Sequence, residues 1–438
     1  MLNVVKPRKG TLYPESYPSK GQDLVITMVE CCKEEDKGSM GARYIMNACK
    51  QAGFSVKYDH DGTIPSDLQL ASVHHCSNWP QLADLPFSGS VRIAGGHVST
   101  NNVRPGIPHA DAWCIGEGEE WIKHAILRLS NNLEVEQLRD LPGTIISADW
   151  VNGSSIPTGN TVVPLPRHPP YLNPAEDGHA ETWYIELSRG CPFQCKYCEL
   201  GWAWKYRPHD TDFLISQLDK IDTTKSKRVT FFAPDEATHP GYKEILEEVH
   251  KRGLITSFGS MRFDSIVRKG DLPFKSNMLI RVAVDGLTQE TRLKVSRRQT
   301  NEAIINYYRF MTENGHHNFK MFMIFGYPWE SPSDFDEFEA MMDEMMAYPL
   351  TKNCHMRVKF TPLIPQPATP LGDCDPIYDY ETVHRIKEWF KKVRRPMVEP
   401  GWFIKSDGIM SERNHAEQVR MTRGDETLLK PRTNYAVS

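Results

Sequence analysis

The sequence lacks long apolar runs, a leader-like start and internal repeats. It contains no stretch of about 18 consecutive apolar residues, so we expect no membrane span. The first residues, MLNVVKPRKGTLYPESYPSKG, contain no apolar core of the kind that secretion signals have, so we expect a cytoplasmic protein. A repeat of about 20–50 residues is also absent, which argues against solenoid and propeller architectures.

Strong charge of one sign is absent as well. The formal net charge is −4, which argues against a protein that coats nucleic acid but is compatible with a local basic groove. The chain has ten cysteines. In a cytoplasmic protein, thiols point to metal binding or catalysis before disulfides.

Residues 23–150 predict a small Rossmann-like α/β domain, preceded by an N-terminal arm at 1–22. Strand-like runs such as DLVITMV, LASVHHC and VRIAGG alternate with the helical segments SMGARYIMNACKQAG and EEWIKHAILRLSNN. Only DGTIPSDLQ separates the second strand-like run, FSVKYDH, from the third. A crossover helix needs about a dozen residues in all, so the domain is predicted to be truncated by one helix.

A proline- and glycine-rich linker is predicted at 151–180. From 181 to 371 about six strand-like segments alternate with helices, which predicts a partial (βα)6 barrel with its chemistry at the carboxyl ends of the strands. Residues 372–438 form a C-terminal extension with one helix, YETVHRIKEWFKKVRR, followed by polar segments that the pattern does not assign. The predicted fold class is therefore α/β.

Three cysteines, Cys191, Cys195 and Cys198, follow a CxxxCxxC spacing just after the first predicted barrel strand. Buried structural thiols are one alternative, but the neighbouring Gly, Pro and Lys residues make a poor core. A structural zinc site is another, and it needs a fourth ligand, for which His209 is the candidate. The interpretation we favour is a [4Fe–4S] cluster held by three thiolates, with one iron left open.

The cysteine spacing, the aromatic Tyr197 before the last cysteine and the position after a barrel strand resemble the radical S-adenosylmethionine (SAM) superfamily. The segments MLIRVAVDGLTQETRLKVSRRQT, FKMFMIFGYPWESPSDFDEF and LIPQPATPL resemble the subgroup that pairs a cobalamin-binding-like domain with the barrel. With IAGGHVS and CIGEGEEW, the resemblance covers roughly residues 23–371.

The resemblance implies that the three cysteines bind a [4Fe–4S] cluster whose open iron chelates SAM. Reductive cleavage of SAM then gives a 5′-deoxyadenosyl radical, which removes a hydrogen atom from the substrate. The resemblance also implies a reductant protein of the flavodoxin or ferredoxin type as a partner.

The resemblance also assigns SAM contacts near the second and third strands of the barrel. Pro234, Asp235 and Glu236 take the place of the glycine-rich stretch whose backbone receives the SAM amino group, although the glycine pair itself is missing. Ser260 and Arg262 take the place of residues that bind the SAM carboxylate, for which a guanidinium is well suited.

Further assignments concern the adenosine half of SAM. Asp285 stands where a polar group meets the ribose hydroxyls, Gly326 where the chain approaches adenine, and Tyr197 beside the cluster and adenine. Each has a structural alternative: Arg262 pairs only with Asp264, and Asp285 only caps a turn. No catalytic side chain is identified.

The sequence leaves cobalamin open without favouring it. The loop after the first strand, ECCKEEDKGSMG, has no histidine, whereas domains that place a histidine on cobalt carry an Asp-x-His-x-x-Gly signature there. The missing crossover helix also reduces the face available to a corrin. The glycines of GGHVS either line a corrin or make a tight backbone turn.

The sequence therefore predicts a radical SAM enzyme whose substrate radical rearranges in the pocket. Basic segments of the C-terminal region, KEWFKKVRRP and RNHAEQVRMTRGDETLLKPRTN, form either a solvated face or a groove for a phosphate-bearing substrate. On that basis the substrate is expected to be a modified nucleobase, such as a hypermodified thymine in DNA. The alternatives are a cobalamin-dependent C-methyltransferase and a non-catalytic metal-binding module.

Overall fold

The structure, a computed structural model, divides into an N-terminal unit and a barrel unit. The N-terminal unit lies within Met1–Leu172 and Arg420–Ser438, and the barrel unit within Asn173–Val419. The residues that the structure describes are 24–33, 39–87, 89–151, 182–257, 259–269, 278–394 and 400–429. The predicted arm at 1–22 and almost all of the predicted linker at 151–180 lie outside these residues.

The N-terminal unit is built from short strands and helices in alternation. Its elements are β1 (Ile26–Cys31), α1 (Met40–Gln51), β2 (Val56–Tyr58), β3 (Ser66–Val73), α2 (Trp79–Asp84), β4 (Gly89–Gly95), α3 (His97–Asn102), β5 (Ala112–Cys114), α4 (Gly118–Leu129) and β6 (Thr144–Ile146).

The strands of this unit form one sheet in the order β2-β1-β3-β4-β5-β6. All neighbours pair in parallel except β5 with β6. The order from β2 to β5 is that of flavodoxin-like domains, which bind ligands at the carboxyl ends of their strands. The α/β fold predicted for this part of the sequence is confirmed.

The link from β2 to β3 contains no helix, as the sequence predicts. It comprises residues 59–65 and crosses β1. The buried Asp59 carboxylate accepts hydrogen bonds from the backbone N–H groups of Asp61, Gly62 and Ile64, at 2.9–3.3 Å. The buried carboxylate thus provides hydrogen-bond acceptors for backbone N–H groups of this connection, which is too short to pair them in a helix of its own.

The two faces of this sheet are covered differently. Helices α1 and α4 pack on one face around Trp121 and Ile126. The other face buries Trp79 and Trp113 together with Met421 from the C-terminal part of the same unit. That face also contains the buried Arg92, whose guanidinium donates to the Gln69 side chain and to the backbone carbonyls of residues 85, 86 and 109.

The barrel unit continues the alternation. Its elements are β7 (Trp183–Glu186), β8 (Ser188–Arg189), α5 (Leu200–Ala203), β9 (Arg207–Pro208), α6 (Thr211–Leu218), β10 (Arg228–Phe232), α7 (Tyr242–Lys251), β11 (Ile255–Ser257), β12 (Ser260–Arg262), α8 (Phe263–Lys269), β13 (Ile280–Ala283), α9 (Gln289–Lys294), α10 (Asn301–Glu313), β14 (Asn318–Phe325), α11 (Phe335–Met346), β15 (Cys354–Pro362), α12 (Tyr380–Val393) and β16 (Trp402–Ile409). A last helix, α13 (Glu412–Arg423), begins in this unit, and its residues from Arg420 onward belong to the N-terminal unit.

The barrel strands pair in parallel in two sheets, β11-β10-β7 and β12-β13-β14-β15-β16. In β14 and β15 every second residue is buried and the alternate residues are not. The buried face packs against the helices: Phe319 contacts Tyr308 of α10, and Phe360 contacts Phe338 of α11. The opposite face is the interior of the partial barrel.

The C-terminal region contains more regular structure than the sequence pattern assigns. After the predicted helix, which is α12, a further parallel strand, β16, pairs with β15, and α13 follows it. Only Trp402 and Ile404 of this strand are fully buried, and Gly408 interrupts its end, so the sequence signal is weak. Among the described residues, no helix has the length and apolar character that a membrane span requires.

The glycine pair after β4 forms a tight backbone turn. Gly96 has φ 120° and ψ 180°, a conformation that side-chain-bearing residues avoid. A Cβ atom there would lie 2.3 Å from the backbone oxygen of Val73. The requirement for glycine at this position therefore comes from the neighbouring strand and needs no ligand.

We expect Gly96→Ala to lower the free energy of unfolding by roughly 3 kcal/mol or more, because a strained φ of about 1–3 kcal/mol is added to the clash with Val73. Gly53→Ala is the matched control: Gly53 also has a positive φ, 94°, but nothing lies within 4 Å of its Cβ position. Urea unfolding followed by circular dichroism measures both. Equal losses for the two variants would contradict the role of the Val73 contact.

Candidate active site

The three cysteines lie on one loop, between the short strands β8 and β9, which pair antiparallel. Gly190 before the loop has φ 67°, and a Cβ there would lie 2.3 Å from the Lys205 carbonyl oxygen. A Cβ at Gly201 would lie 1.7 Å from the Phe193 carbonyl oxygen. Both glycines are therefore required for the loop to close on itself.

Backbone hydrogen bonds fix the middle of the loop from two sides. The Lys196 N–H donates to the Val295 carbonyl at 3.2 Å, and the Leu371 N–H donates to the Lys196 carbonyl at 3.1 Å. The indole N–H of Trp202 donates to the carbonyl of Cys195 at 3.0 Å. The cysteine loop is thus held by segments that follow β13 and β15.

The thiols are sheltered from water to different degrees. Cys195 is buried, and Cys191 and Cys198 are half-buried. Burial raises the pKa of Cys191 to about 11 and that of Cys198 to about 12, and the charges of the neighbouring cysteines raise both further. Because metal ligation requires thiolates, loading the loop must release protons.

The arrangement does not favour a mononuclear zinc site. Within the described part of the chain, no group of three or more His, Cys, Asp or Glu side chains is placed to hold a single metal ion. His209, the proposed fourth ligand, is buried, and its Nε2 lies 3.3 Å from a carboxylate oxygen of Glu186. A cluster spreads its ligands more widely than one ion does, so three thiols on one fixed loop fit it better.

Arg262 reaches the cysteine loop directly. Its Nη1 lies 3.0 Å from the Sγ of Cys195, and its guanidinium carbon lies 3.8 Å from the ring centroid of Phe193. Its Nε and Nη2 donate to the Asp264 carboxylate at 3.0 and 3.2 Å. The pair with Asp264 is therefore formed, but Arg262 also places a positive charge against a cluster thiol.

Asp235 provides a buried carboxylate beside the loop. Its charge acts on Cys191, and its Oδ2 accepts a hydrogen bond from the Ser265 hydroxyl at 2.6 Å. Its Oδ1 is buried and has no hydrogen-bond partner among the described residues. Burial raises the pKa of Asp235 to about 6. A buried, unsatisfied carboxylate oxygen at this place fits the ammonium group of SAM.

Glu236 and Pro234 flank this carboxylate in the same loop. Glu236 is fully buried, and its two oxygens accept from the Gly259 N–H at 2.6 Å and the Tyr242 hydroxyl at 3.0 Å. These bonds connect the loop after β10 to the approach of β12. Pro234 is half-buried, and Ser260 begins β12, but the side chain of Ser260 lies outside the described part of the structure. The contacts of Pro234, Glu236 and Ser260 with SAM stay predictions.

Tyr197 and Asp285 meet in a buried network. Asp285 has φ 53°, and its Oδ2 accepts from the Tyr197 hydroxyl at 2.7 Å and from Arg297 at 2.6 Å. Arg297 also donates to the Tyr197 oxygen at 2.6 Å and to the Ala283 carbonyl at 2.8 Å. Burial raises the pKa of Tyr197 well above its usual value. Sequence reasoning missed Arg297, which stands in SRRQT without a distinctive motif.

Gly326 begins the turn after β14 with φ 78°. Its N–H and that of Tyr327 donate to one carboxylate oxygen of Glu330, at 2.8 and 3.2 Å. A Cβ at Gly326 would lie 2.9 Å from the Ile377 carbonyl oxygen. Packing within the chain thus explains why this position requires glycine. The contact of Gly326 with adenine stays a prediction.

We expect Glu236→Gln to stabilise the cluster-free protein at pH 8 but not at pH 4.5. Burial raises the pKa of Glu236 to about 8 from the ordinary 4.5, so above pH 4.5 the unfolded chain loses this proton more readily than the folded one. Wild-type stability therefore falls as the pH rises between these values, and the amide removes that loss, by roughly 3 kcal/mol at pH 8.

Urea unfolding at the two pH values checks this prediction. Glu247→Gln, an exposed position on α7, is the control and is expected to change little at either pH. A stabilisation of Glu236→Gln that is the same at pH 4.5 and pH 8 would show that titration of Glu236 is not its cause.

Comparison with known proteins agrees with this geometry. The family model of the radical SAM superfamily matches residues 185–342, which include the three cysteines, Asp235, Arg262 and Asp285. An uncharacterized protein of Methanocaldococcus jannaschii is 22% identical over 271 residues, which are 60% of this chain and 57% of that protein.

Among solved structures, the chain is similar to the cobalamin-dependent S-adenosylmethionine radical enzyme OxsB. The structure with aqua-cobalamin and S-adenosylmethionine bound matches with a TM-score of 0.57 and 16% identity, covering 91% of this chain and 61% of that one. The structure with aqua-cobalamin alone matches with a TM-score of 0.54. The chain thus spans about three fifths of the length of these relatives. Residues 185–342 thus match the radical SAM superfamily, and the fold of the chain is similar to that of OxsB.

Proposed function

We propose that this radical SAM enzyme removes a hydrogen atom from its substrate and directs the resulting radical into a rearrangement. The observation that carries the proposal is the single fixed loop with Cys191, Cys195 and Cys198, faced by the Arg262 guanidinium and close to the Asp235 carboxylate. When bound, a [4Fe–4S] cluster and SAM supply the reductive cleavage that starts hydrogen abstraction.

The protein's own side chains would hold and orient these groups. The three thiolates would bind the cluster, and the Oδ1 of Asp235 would accept from the SAM amino group. Arg262 would stabilise the thiolate charge at Cys195, since a buried guanidinium favours an adjacent anion. Tyr197, fixed by Asp285 and Arg297, would pack beside the cluster. The electron would come from a flavodoxin or ferredoxin type of partner.

A modified nucleobase, such as a hypermodified thymine in DNA, is the proposed substrate. Part of the support from the C-terminal basic segments is weak, because three cations of α12 have acidic partners. The pairs are Arg385–Asp336, Lys391–Glu388 and Lys392–Glu339. Lys405 of the same extension, on β16, has no acidic partner among the described residues.

A cobalamin-dependent methyl transfer is the second candidate, and the fold likeness to OxsB over 91% of the chain favours it. At the carboxyl ends of β1 and β3, the Nε2 of His74 lies 3.0 Å from the buried Glu30 carboxylate, which also accepts from the Tyr58 hydroxyl. A carboxylate that holds a histidine in this way orients metal-binding imidazoles. Two features argue against cobalamin binding: the short β2–β3 link and the packing role of Gly96.

We expect Cys195→Ala to abolish formation of 5′-deoxyadenosine, because the cluster would lose one of its three thiolates. The measurement is 5′-deoxyadenosine by liquid chromatography after anaerobic reconstitution with iron and sulfide and addition of dithionite and SAM. Wild type is expected to hold about four iron and four sulfide per chain. Cys49→Ala, a buried thiol of α1, is the control and keeps both cluster and product. Zinc without iron in the wild type would overturn the proposal.

The two candidates predict different fates of the substrate. For the rearrangement, deuterium from a labelled nucleobase substrate enters 5′-deoxyadenosine, and the product has the mass of the substrate apart from exchanged hydrogen. For methyl transfer, the product gains one methyl group, and the purified protein shows a corrin absorption band. A bound corrin together with a methylated product would replace the first candidate with the second.

A further inference from the structure

Four basic side chains lie in register across four neighbouring strands of the barrel sheet. Arg281 of β13 pairs with Lys320 of β14, Lys320 with Arg357 of β15, and Arg357 with Lys405 of β16. We call these four residues the cationic row. In a parallel sheet, residues in register project from the same face, so the four charges form one line across the strands.

The cationic row is on the face that the helices do not cover. Phe319 and Met321, which flank Lys320 in β14, are fully buried, as are Met356 and Val358 on either side of Arg357. Arg281 and Lys320 are half-buried, whereas Arg357 and Lys405 are exposed. The row therefore faces the barrel interior, in the amino-terminal halves of β14, β15 and β16 and away from the carboxyl ends at which a (βα) barrel places its chemistry.

The charge of the row is only partly balanced by the protein. Lys320 pairs with Asp407 at 2.5 Å, and the charge of Arg281 acts on the buried Glu236. Within the described residues, Arg357 and Lys405 have no acidic partner. Neighbouring strands lie about 4.8 Å apart, and like charges directly opposite one another destabilise a sheet. Such a row is unfavourable for folding alone and suits an anionic ligand.

Aromatic rings accompany the charges. The rings of His355 and Phe403, two residues before Arg357 and Lys405 in their strands, stack with centroids 5.3 Å apart and planes at 24°. Lys320 lies over the ring of Phe322 at 4.9 Å. His355, Arg357, Phe403 and Lys405 line one groove of about 620 Å³. Cations that contact phosphate beside exposed flat rings are typical of nucleotide-binding grooves.

The row is separated from the cysteine loop along the strands. Leu363, which packs in the same apolar cluster as Tyr197 of that loop, comes six residues after Arg357, and six residues of strand span roughly 20 Å. A single nucleotide bound to Arg357 is too short to reach the loop.

We propose that the cationic row binds the phosphate of a nucleotide unit, either a free nucleotide or one nucleotide of a nucleic acid strand, in the groove that His355 and Phe403 line. This site lies apart from the cysteine loop, so the inference goes beyond the proposed function and does not rest on it. Arg357 and Lys405, which have no acidic partner among the described residues, are the main phosphate contacts.

The test is binding of defined probes to the full chain and to the double variant Arg357→Gln/Lys405→Gln. The probes are thymidine, thymidine 5′-monophosphate, thymidine 5′-triphosphate and a short single-stranded oligothymidylate. Lys387→Gln/Arg394→Gln is the matched control, since it removes one lysine and one arginine from exposed positions at α12. Calorimetry or fluorescence anisotropy gives the affinities, and circular dichroism verifies that each variant is folded.

We expect wild type to bind the phosphorylated probes more tightly than thymidine, and the double variant to lose about 10- to 100-fold in affinity for them. The control keeps wild-type affinity. For the oligothymidylate, the slope of log affinity against log salt becomes shallower by roughly 1.4 in the double variant, because two phosphate contacts are lost. Tight binding of the mononucleotides identifies a free nucleotide as the ligand, and tight binding of the oligothymidylate alone identifies a strand.

Failure of this inference differs from failure of the proposed function. Equal affinity for thymidine and its phosphates, or equal losses in both double variants, overturns the phosphate site even if wild type forms 5′-deoxyadenosine. Absence of 5′-deoxyadenosine from the reconstituted wild type overturns the proposed function whatever the probes do.

Discussion

Parallel strand pairing is the constraint on which the site depends. Parallel strands end at one edge of a sheet, so the loops that follow them meet there even when they are distant in sequence. Tyr197 and Asp285 are 88 residues apart and share a hydrogen bond, and Arg262 contacts the sulfur of Cys195 across 67 residues. The same pairing aligns side chains along the strands, and this alignment places the cationic row at one depth.

Around the cysteine loop, burial favours the uncharged forms of the acidic groups. It raises the pKa of Cys191 to about 11, of Asp235 to about 6 and of Glu236 to about 8. Arg262 is the fixed positive charge at Cys195. The thiols of Cys191 and Cys198 therefore add no negative charge to the site until thiolates form on iron. This is a setting in which a charged cofactor strongly changes the ionisation of its neighbours.

Much of the fold and part of the site follow from the sequence, because they depend on local patterns. The alternation of strands and helices, the truncated β2–β3 link and the cysteine spacing are all local. Arg297 could not be identified in this way, since its importance comes from Tyr197, 100 residues earlier. The sequence pattern does not predict the strand β16, because few of its residues are buried.

The cationic row was beyond sequence reasoning for a different physical reason. Its residues are ordinary alternate positions of four separate strands, and only the pairing register brings them opposite one another. A shift of one residue in any strand would turn its charge to the helix-covered face. The C-terminal basic segments, which the sequence did single out, are in part neutralised on α12.

The cationic row also links ligand occupancy to the stability of the barrel. Mutual repulsion of the four charges is present in the empty protein and absent from the unfolded chain, where the strands separate. An anion that binds the row in the folded state alone lowers the free energy of that state by mass action. Phosphate-bearing molecules would thus act as folding ligands, and the free energy of unfolding would rise with their concentration.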